Sequence, residues 1–235
     1  MSITPPRSAS PGWALLALLL LSPAAWGQAP FTAEILKEGP PAGLSAEIKA
    51  TLAPTGYRVV SADGKPYADL WIRSAVPASG KPAGADGTVQ FPVLADGVLL
   101  GALRFPAEGH DFRDQAIAPG IYTLRYGLQP QNGAHLGASL YRDFTLLLPA
   151  AKDESTAVVP KRSLEQRSAE AAGTSHPGVL MMIAAPEPSR SAAPAMVEDA
   201  DRSTWALAVT IPLQVAGGGS SSIDVQLIVS GSATQ

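Results

Sequence analysis

The alternation of apolar and polar side chains over residues 204–215 constrains the fold more than any other feature of this sequence. The apolar residues take every second position: Trp205, Leu207, Val209, Ile211, Leu213 and Val215. A period of two is typical of a β-strand with one buried face. Pro212 cannot donate a ladder hydrogen bond, so we expect an edge or a bulge there. The alternation resumes over residues 223–229 and predicts a final β-hairpin over residues 204–230.

Short segments of the same kind recur along the chain, which contains 22 Pro and 22 Gly residues. They cover residues 44–52, 57–62, 67–73, 98–105, 121–128 and 141–148. Asp63 and Gly64 tolerate positive φ, which predicts a hairpin between the second and third segments. The last two segments are expected to pair across the intervening loop.

One segment, residues 163–172, predicts a helix, because Ser163 and Gln166 have the spacing of a capping box and Gly173 follows as a stop. About eight to ten strands without a βαβ rhythm predict an all-β fold, an antiparallel β-sandwich or jelly roll. We expect residues 28–235 to form one domain. A Pro-rich loop, residues 186–195, would precede the final hairpin.

The N-terminal residues 1–27 have the pattern of a cleaved secretory signal peptide. Arg7 is their single charged side chain, an apolar run extends from Trp13 to Leu21, and small residues follow. The run is shorter than the roughly 20 residues that span a bilayer. The alternative is a buried helix of the fold. We therefore expect a secreted or periplasmic protein with no transmembrane segment after cleavage.

Charge and composition exclude several classes of function. The formal net charge is −3, and no basic cluster favours nucleic acid as a partner. The chain has no Cys, which excludes disulfides, thiol catalysis, Cys-ligated zinc and iron–sulfur clusters. No GxSxG or HExxH motif occurs, so no catalytic residue is predicted.

The segment EGHDFRDQ, residues 108–115, is the densest group of charged and imidazole side chains. His110, Asp111 and Asp114 are the local candidates for a divalent metal site, which would suit a metal-binding protein or a metal-dependent hydrolase. The alternative is that they are surface residues of a loop, where His and Asp commonly occur in β proteins. No cofactor is otherwise predicted.

A second group of candidates would bind a small ligand or a glycan. It comprises Arg113, His135, Tyr141, Arg142 and Asp143. Arg clamps carboxylates or phosphates, and a Tyr ring stacks on flat ligands. The alternative is structural: the pairs Arg113/Asp114 and Arg142/Asp143 would form ion pairs that hold loops to the sheet.

The segment YRVVSADGKPYADLWIR, residues 57–73, resembles the opening hairpin of transthyretin-like and carboxypeptidase-regulatory-like β-sandwich modules, including their D-G-K-P turn. The resemblance covers this hairpin and implies a structural turn, with no functional residues to carry over.

Together these features predict a secreted or periplasmic β-sandwich without enzymatic activity. It would be a binding or accessory module of the bacterial cell envelope. Its partner would be a small ligand, a glycan or an envelope protein. A structural subunit that docks through the edge strand at residues 204–215 is a further alternative.

The signal peptide gives the first testable prediction. Expressed in a bacterium, the protein should be exported and should begin at Gln28 or Pro30, because small residues precede both positions. N-terminal sequencing of the exported protein checks this. An intact N-terminus on a chain retained in the cytoplasm would contradict it.

Overall fold

A computed structural model describes residues 1, 31–131, 139–186 and 194–231. The predicted signal peptide (from residue 2 onward), His135 and most of the Pro-rich loop lie outside the described residues. Among the described residues, no helix is long and apolar enough to cross a membrane.

The described residues form thirteen strands and two α-helices. The strands are β1 (Phe31–Leu36), β2 (Gly56–Ser61), β3 (Pro66–Ile72), β4 (Val76–Ala78), β5 (Leu99–Phe105), β6 (Gly109–His110), β7 (Ala116–Ile117), β8 (Gly120–Leu128), β9 (Asp143–Pro149), β10 (Val179–Ala184), β11 (Ala195–Asp199), β12 (Thr204–Val215) and β13 (Ser220–Ser230). The helices are α1 (Ala46–Lys49) and α2 (Lys161–Ala172). The all-β prediction is confirmed.

Ten strands form one sheet, curled into a half-barrel, in the order β1-β2-β3-β5-β8-β9-β10-β13-β12-β11. The first half of β10 pairs with β9 and its second half pairs with β13, so this strand joins the two parts of the curled sheet. Strand β4 pairs in parallel with the end of β12. Strands β6 and β7 form a separate small ribbon.

The two edges of the half-barrel, β1 and β11, approach each other, with Cα atoms within 8 Å. No strand pairing joins them in the part of the chain that the structure describes. We call this open boundary the seam.

The concave inner face holds the main core, and period-two alternation explains its membership. Strand β12 contributes Leu207, Val209, Ile211 and Leu213, and β8 contributes Tyr122, Leu124 and Tyr126. Each of these side chains is buried. Between them lie residues that face outward, such as Thr123 and Arg125 on β8.

The outer face is also covered, which is why strands of this sheet carry apolar side chains on both sides. Helix α1 and the segments around it pack Leu44, Ile48 and Leu52 against Trp71 and neighbouring residues. Helix α2 packs Leu164 against Leu146 and Leu148 of β9.

The strand predicted at residues 44–52 is wrong, because this segment contains α1. Ser45 caps the helix by accepting a hydrogen bond from the Ile48 backbone N–H at 3.2 Å. Leu44, Ile48 and Leu52 are buried, whereas Ala46 and Ala50 are exposed. Residues four positions apart lie on the same side of a helix and also on the same face of a strand. The apolar spacing here fits both, and the segment forms a helix.

The predicted C-terminal helix is confirmed, but it starts earlier than the pattern indicated. Helix α2 begins at Lys161 after Pro160, so Ser163 lies inside it and the predicted capping box with Gln166 does not form. Gly173 ends the helix in the left-handed conformation, φ 61°, as predicted.

The predicted hairpins are confirmed. Strands β2 and β3 pair around Gly64, whose φ is +78°. Strands β8 and β9 pair along their length, and so do β12 and β13. At Pro212, β12 pairs with β13 only, since β11 reaches Ala208 and β4 begins opposite Leu213. The missing N–H of Pro212 therefore falls at an edge, as predicted.

A buried ion pair fixes the chain that crosses the outer face. Arg125 of β8 is fully buried, and its Nε and Nη2 donate to the Asp153 carboxylate at 2.7 and 2.9 Å. Its Nη1 donates to the carbonyl oxygens of Gly97 and Ala157, and Nη2 also donates to that of Ser155. All five N–H donors of a guanidinium are thus used, and the segment after β9 is tied to the sheet.

Replacement of Asp153 by Ala should lower the free energy of unfolding by about 3–5 kcal/mol, because it leaves Arg125 buried without a counter-charge. The matched control is Lys152→Ala, which removes an exposed pair with Glu170 and should cost less than about 1 kcal/mol. Urea denaturation of both variants measures the difference. Equal losses of unfolding free energy in the two variants would show that the buried pair of Arg125 and Asp153 does not stabilise the fold more than an exposed pair.

Candidate functional site

The segment EGHDFRDQ folds as a short ribbon, in which β6 and β7 pair around a tight turn. Asp111, in that turn, is 3% exposed. Its Oδ1 accepts hydrogen bonds from the backbone N–H groups of Arg113 and Gln115 at 2.8 and 2.9 Å. Its Oδ2 accepts from the Gln115 side-chain amide and from the backbone N–H of Val179. This carboxylate ties the ribbon to β10.

The metal group predicted at His110, Asp111 and Asp114 does not form. Among the described residues, no group of three or more His, Asp or Glu side chains is placed to hold a metal ion. Asp111 already accepts four hydrogen bonds, and Asp114 is exposed on the turn with a positive φ of 59°. Asp111 and Asp114 instead form part of a tight turn, where Asp is a favoured residue.

Asp143, a predicted ligand residue, is fully buried and has a structural role. Its carboxylate accepts hydrogen bonds from the backbone N–H groups of Gln90 and Phe91 at 2.8 and 3.1 Å. The Tyr126 hydroxyl donates to the same carboxylate at 2.6 Å. Burial, together with the Asp143 hydrogen bond and charge, raises the pKa of Tyr126, so the hydroxyl remains protonated and able to donate.

The hypothesis that Arg113/Asp114 and Arg142/Asp143 form ion pairs is wrong. Arg113 is exposed, and Arg142 donates from Nε to the Gln129 carbonyl oxygen at 2.8 Å. The turn of the ribbon meets β9 instead through aromatic rings. Phe112 and Phe144 have ring centroids 5.9 Å apart, and the half-buried Tyr141 packs against their cluster. The predicted ligand set is therefore mostly committed to packing and loop anchoring; His135 lies outside the described residues.

A different group of side chains has the properties of a binding surface. Five aromatic rings follow one another across the inner face near the seam, and we call them the aromatic row: Trp205, Phe31, Tyr67, Phe105 and Tyr122. Successive ring centroids are 6.4, 5.0, 5.8 and 6.3 Å apart. Such spacings are typical of favourable tilted and edge-to-face contacts.

Exposure changes along the aromatic row. Phe105 and Tyr122 are 2% and 5% exposed and belong to the core. Tyr67, Phe31 and Trp205 are only half-buried. Phe31 belongs to edge strand β1, whereas Trp205 belongs to β12, beside the opposite edge strand β11. The half-buried end of the row thus bridges the seam.

The ribbon of EGHDFRDQ borders this row. The backbone N–H of His110 donates to the Tyr67 hydroxyl at 3.2 Å, and Asp114 lies close enough for its charge to act on the same group. Burial is the main cause that raises the pKa of Tyr67. A Cβ at Gly109 would lie 2.5 Å from the Phe105 ring, so the close approach of ribbon and row requires glycine.

Chemically, the row offers apolar ring faces beside a hydroxyl and the half-buried His110. This combination suits a ligand with one flat apolar face and polar edges. The sequence analysis missed the row, since its members come from five strands and no local motif joins them. The one available signal was the period-two placement of each ring.

Comparison of the chain with protein-family models, with curated proteins and with solved structures finds no match in any of the three.

Replacement of Asp143 by Asn tests its structural role. The amide presents one acceptor where the carboxylate serves three donors, so the free energy of unfolding should fall by about 1–3 kcal/mol. The exposed Asp114→Asn is the control and should change stability by less than about 0.5 kcal/mol. Urea denaturation checks both. An Asp143→Asn protein as stable as the wild type would show that the carboxylate does not anchor the loop.

Proposed function

We propose that this protein is a secreted or periplasmic binding module of the bacterial cell envelope, without enzymatic activity, that holds a glycan on the aromatic row. The observation that carries this proposal is the half-buried end of the row, Trp205, Phe31 and Tyr67, at the open seam. The N-terminal signal pattern supports the location.

A glycan is the ligand class that fits best, for reasons of shape and polarity. A sugar ring has an apolar face of C–H groups and a rim of hydroxyls. The row supplies aromatic faces, and the Tyr67 hydroxyl, which accepts from the His110 backbone N–H, supplies a polar group beside them. Trp and Tyr are also enriched among the side chains that contribute most of the binding energy at interfaces.

The pairing of β12 does not favour assembly by strand addition along residues 204–215. On β12, only the short stretch between the ends of β11 and β4 lacks a second neighbour, and it contains Pro212. A docking strand would find few hydrogen-bonding groups there. The alternative of a metal-dependent hydrolase loses support because the Asp111 carboxylate is already engaged.

Fluorescence titration tests the proposal. Trp71 is fully buried and Trp205 is half-buried, so a ligand on the row should change mainly the emission of Trp205. The exported protein would be titrated with soluble chito-oligosaccharides, muropeptides and lipopolysaccharide core oligosaccharides. We expect saturable binding of at least one of these glycans.

Variants locate the site. Trp205→Ala and Phe31→Ala should weaken binding at least tenfold by calorimetry, a loss of about 1.4 kcal/mol or more. Tyr57→Ala is the matched control. Tyr57 is a half-buried aromatic residue of β2, at the end of that strand away from Ser61, which pairs with Phe31. Its replacement should leave the affinity unchanged. Loss of binding on Tyr141→Ala alone would move the site to the loop predicted from the sequence. Turnover of the bound glycan would contradict a non-enzymatic role.

A further inference from the structure

The half-buried rings of the aromatic row lie together at one end of the half-barrel. Phe31 is the first residue of β1, and Tyr67 and Trp205 are the second residues of β3 and β12. Neighbouring strands along the sheet are antiparallel, so these strand ends fall on the same side of the molecule. We call this end of the half-barrel the rim.

Glu198 of edge strand β11 lies beside Trp205 at the rim. The two residues are direct partners in the antiparallel pairing of β11 with β12, so their side chains project from the same face of the sheet. That face is the inner one, because Met196, which shares the face with Glu198, packs against the main core. Glu198 is exposed and makes no ion pair with any described residue. Its charge can therefore act on a ligand that contacts the row.

A second carboxylate lies at the other half-buried ring. Asp114 is exposed and makes no ion pair in the described part of the chain. Burial and then the charge of Asp114 raise the pKa of Tyr67, and Arg113 is not among the charges that act on this hydroxyl. The cations of the turns at the rim are already paired, since Lys65 and Arg202 each contact an Asp of their own turn at 2.7 and 3.0 Å. The rim beside the row is therefore acidic.

The polar atoms of the row itself can reach a ligand. Trp205 Nε1 makes no hydrogen bond to a described residue and is in contact with solvent. By contrast, Nε1 of the buried Trp71 donates to the Glu38 carbonyl oxygen at 2.9 Å. The Tyr67 hydroxyl accepts from the His110 backbone N–H, and no described residue accepts its own proton. A ligand at the rim would thus meet aromatic faces, two hydrogen-bond donors and two carboxylates.

We propose that the glycan held by the aromatic row carries free, protonated amino groups, as in oligosaccharides of glucosamine, and that Glu198 and Asp114 select it. This inference rests on the glycan-binding function proposed above. An ammonium group is attracted to the face of a Trp, Tyr or Phe ring when it lies within about 6 Å of the centroid. A carboxylate beside the ring adds a charge–charge attraction. An N-acetylated sugar offers neither contact, and an anionic glycan would be repelled.

Calorimetric titration of the exported protein with two ligands of equal length tests the proposal. They are the tetramers of glucosamine and of N-acetylglucosamine, compared at a mildly acidic pH at which free amines are protonated. The glucosamine tetramer should bind about fivefold more tightly or better, the factor given by a cation–π contact of about 1 kcal/mol. The preference should shrink as salt is added.

The outcomes separate this proposal from the one it rests on. If the N-acetylated tetramer binds as tightly as the glucosamine tetramer, the preference for an amine is overturned while glycan binding stands. The same holds if neither tetramer binds but another glycan does. If no glycan binds, the proposed function itself is wrong, and this inference is wrong with it.

Charge-removing variants locate the selectivity. Glu198→Gln and Asp114→Asn should each bring the two affinities closer together. Glu154→Gln is the matched control, because Glu154 is an exposed acid of the segment on the outer face and its variant should keep the full preference. A preference that survives both rim substitutions would overturn the role given to these carboxylates. Spermine, a polyamine without a sugar ring, should bind more weakly than the glucosamine tetramer, and equal binding would mean that charge alone drives the interaction and would overturn the proposal.

Discussion

The ion pair between Arg125 and Asp153 is the interaction on which the outer half of the structure depends. It joins the middle of the sheet to the segment that follows β9, and the same guanidinium holds three backbone carbonyls. This segment leads to Pro160, directly before α2. A buried pair with every donor and acceptor satisfied is costly to break, since either partner alone would remain charged and dry.

Buried carboxylates serve the same purpose elsewhere in the fold. Asp69 joins three strands through Arg58 and Arg104, Asp111 ties the ribbon to β10, and Asp143 anchors the loop before β5. The chain has no Cys and cannot use disulfides to fix its long connections. Charge-assisted hydrogen bonds take over that role. For this reason Asp111 and Asp143, which the sequence analysis named as candidate site residues, have structural roles.

The proposed glycan site uses aromatic side chains that the core leaves half-buried. On the inner face, the aromatic row continues from the core to the seam, where its last rings are only half-buried.

Local chemistry was enough to predict much of the secondary structure. Strand alternation located β8 and β12, Asp63-Gly64 predicted the turn between β2 and β3, and Gly173 marked the end of α2. The strand predicted at residues 44–52 is wrong, because apolar residues at every second position also occur four residues apart, which is the spacing of one helix face. In the folded protein, Ile48 packs against the outer face, whereas Ala46 and Ala50 remain exposed to solvent. This packing favours a helix over a strand.

The functional candidates show the same division. The sequence by itself determined the residue types: a charged ribbon around His110, aromatic residues at alternate positions of several strands, and no thiol. Tertiary structure alone decided that Asp111 and Asp143 are consumed by hydrogen bonds and that Phe31 meets Trp205 across the seam. The reason is physical. Alternation and turn propensity act over a few residues, whereas burial, charge pairing and ring contacts depend on how distant strands curl around one core.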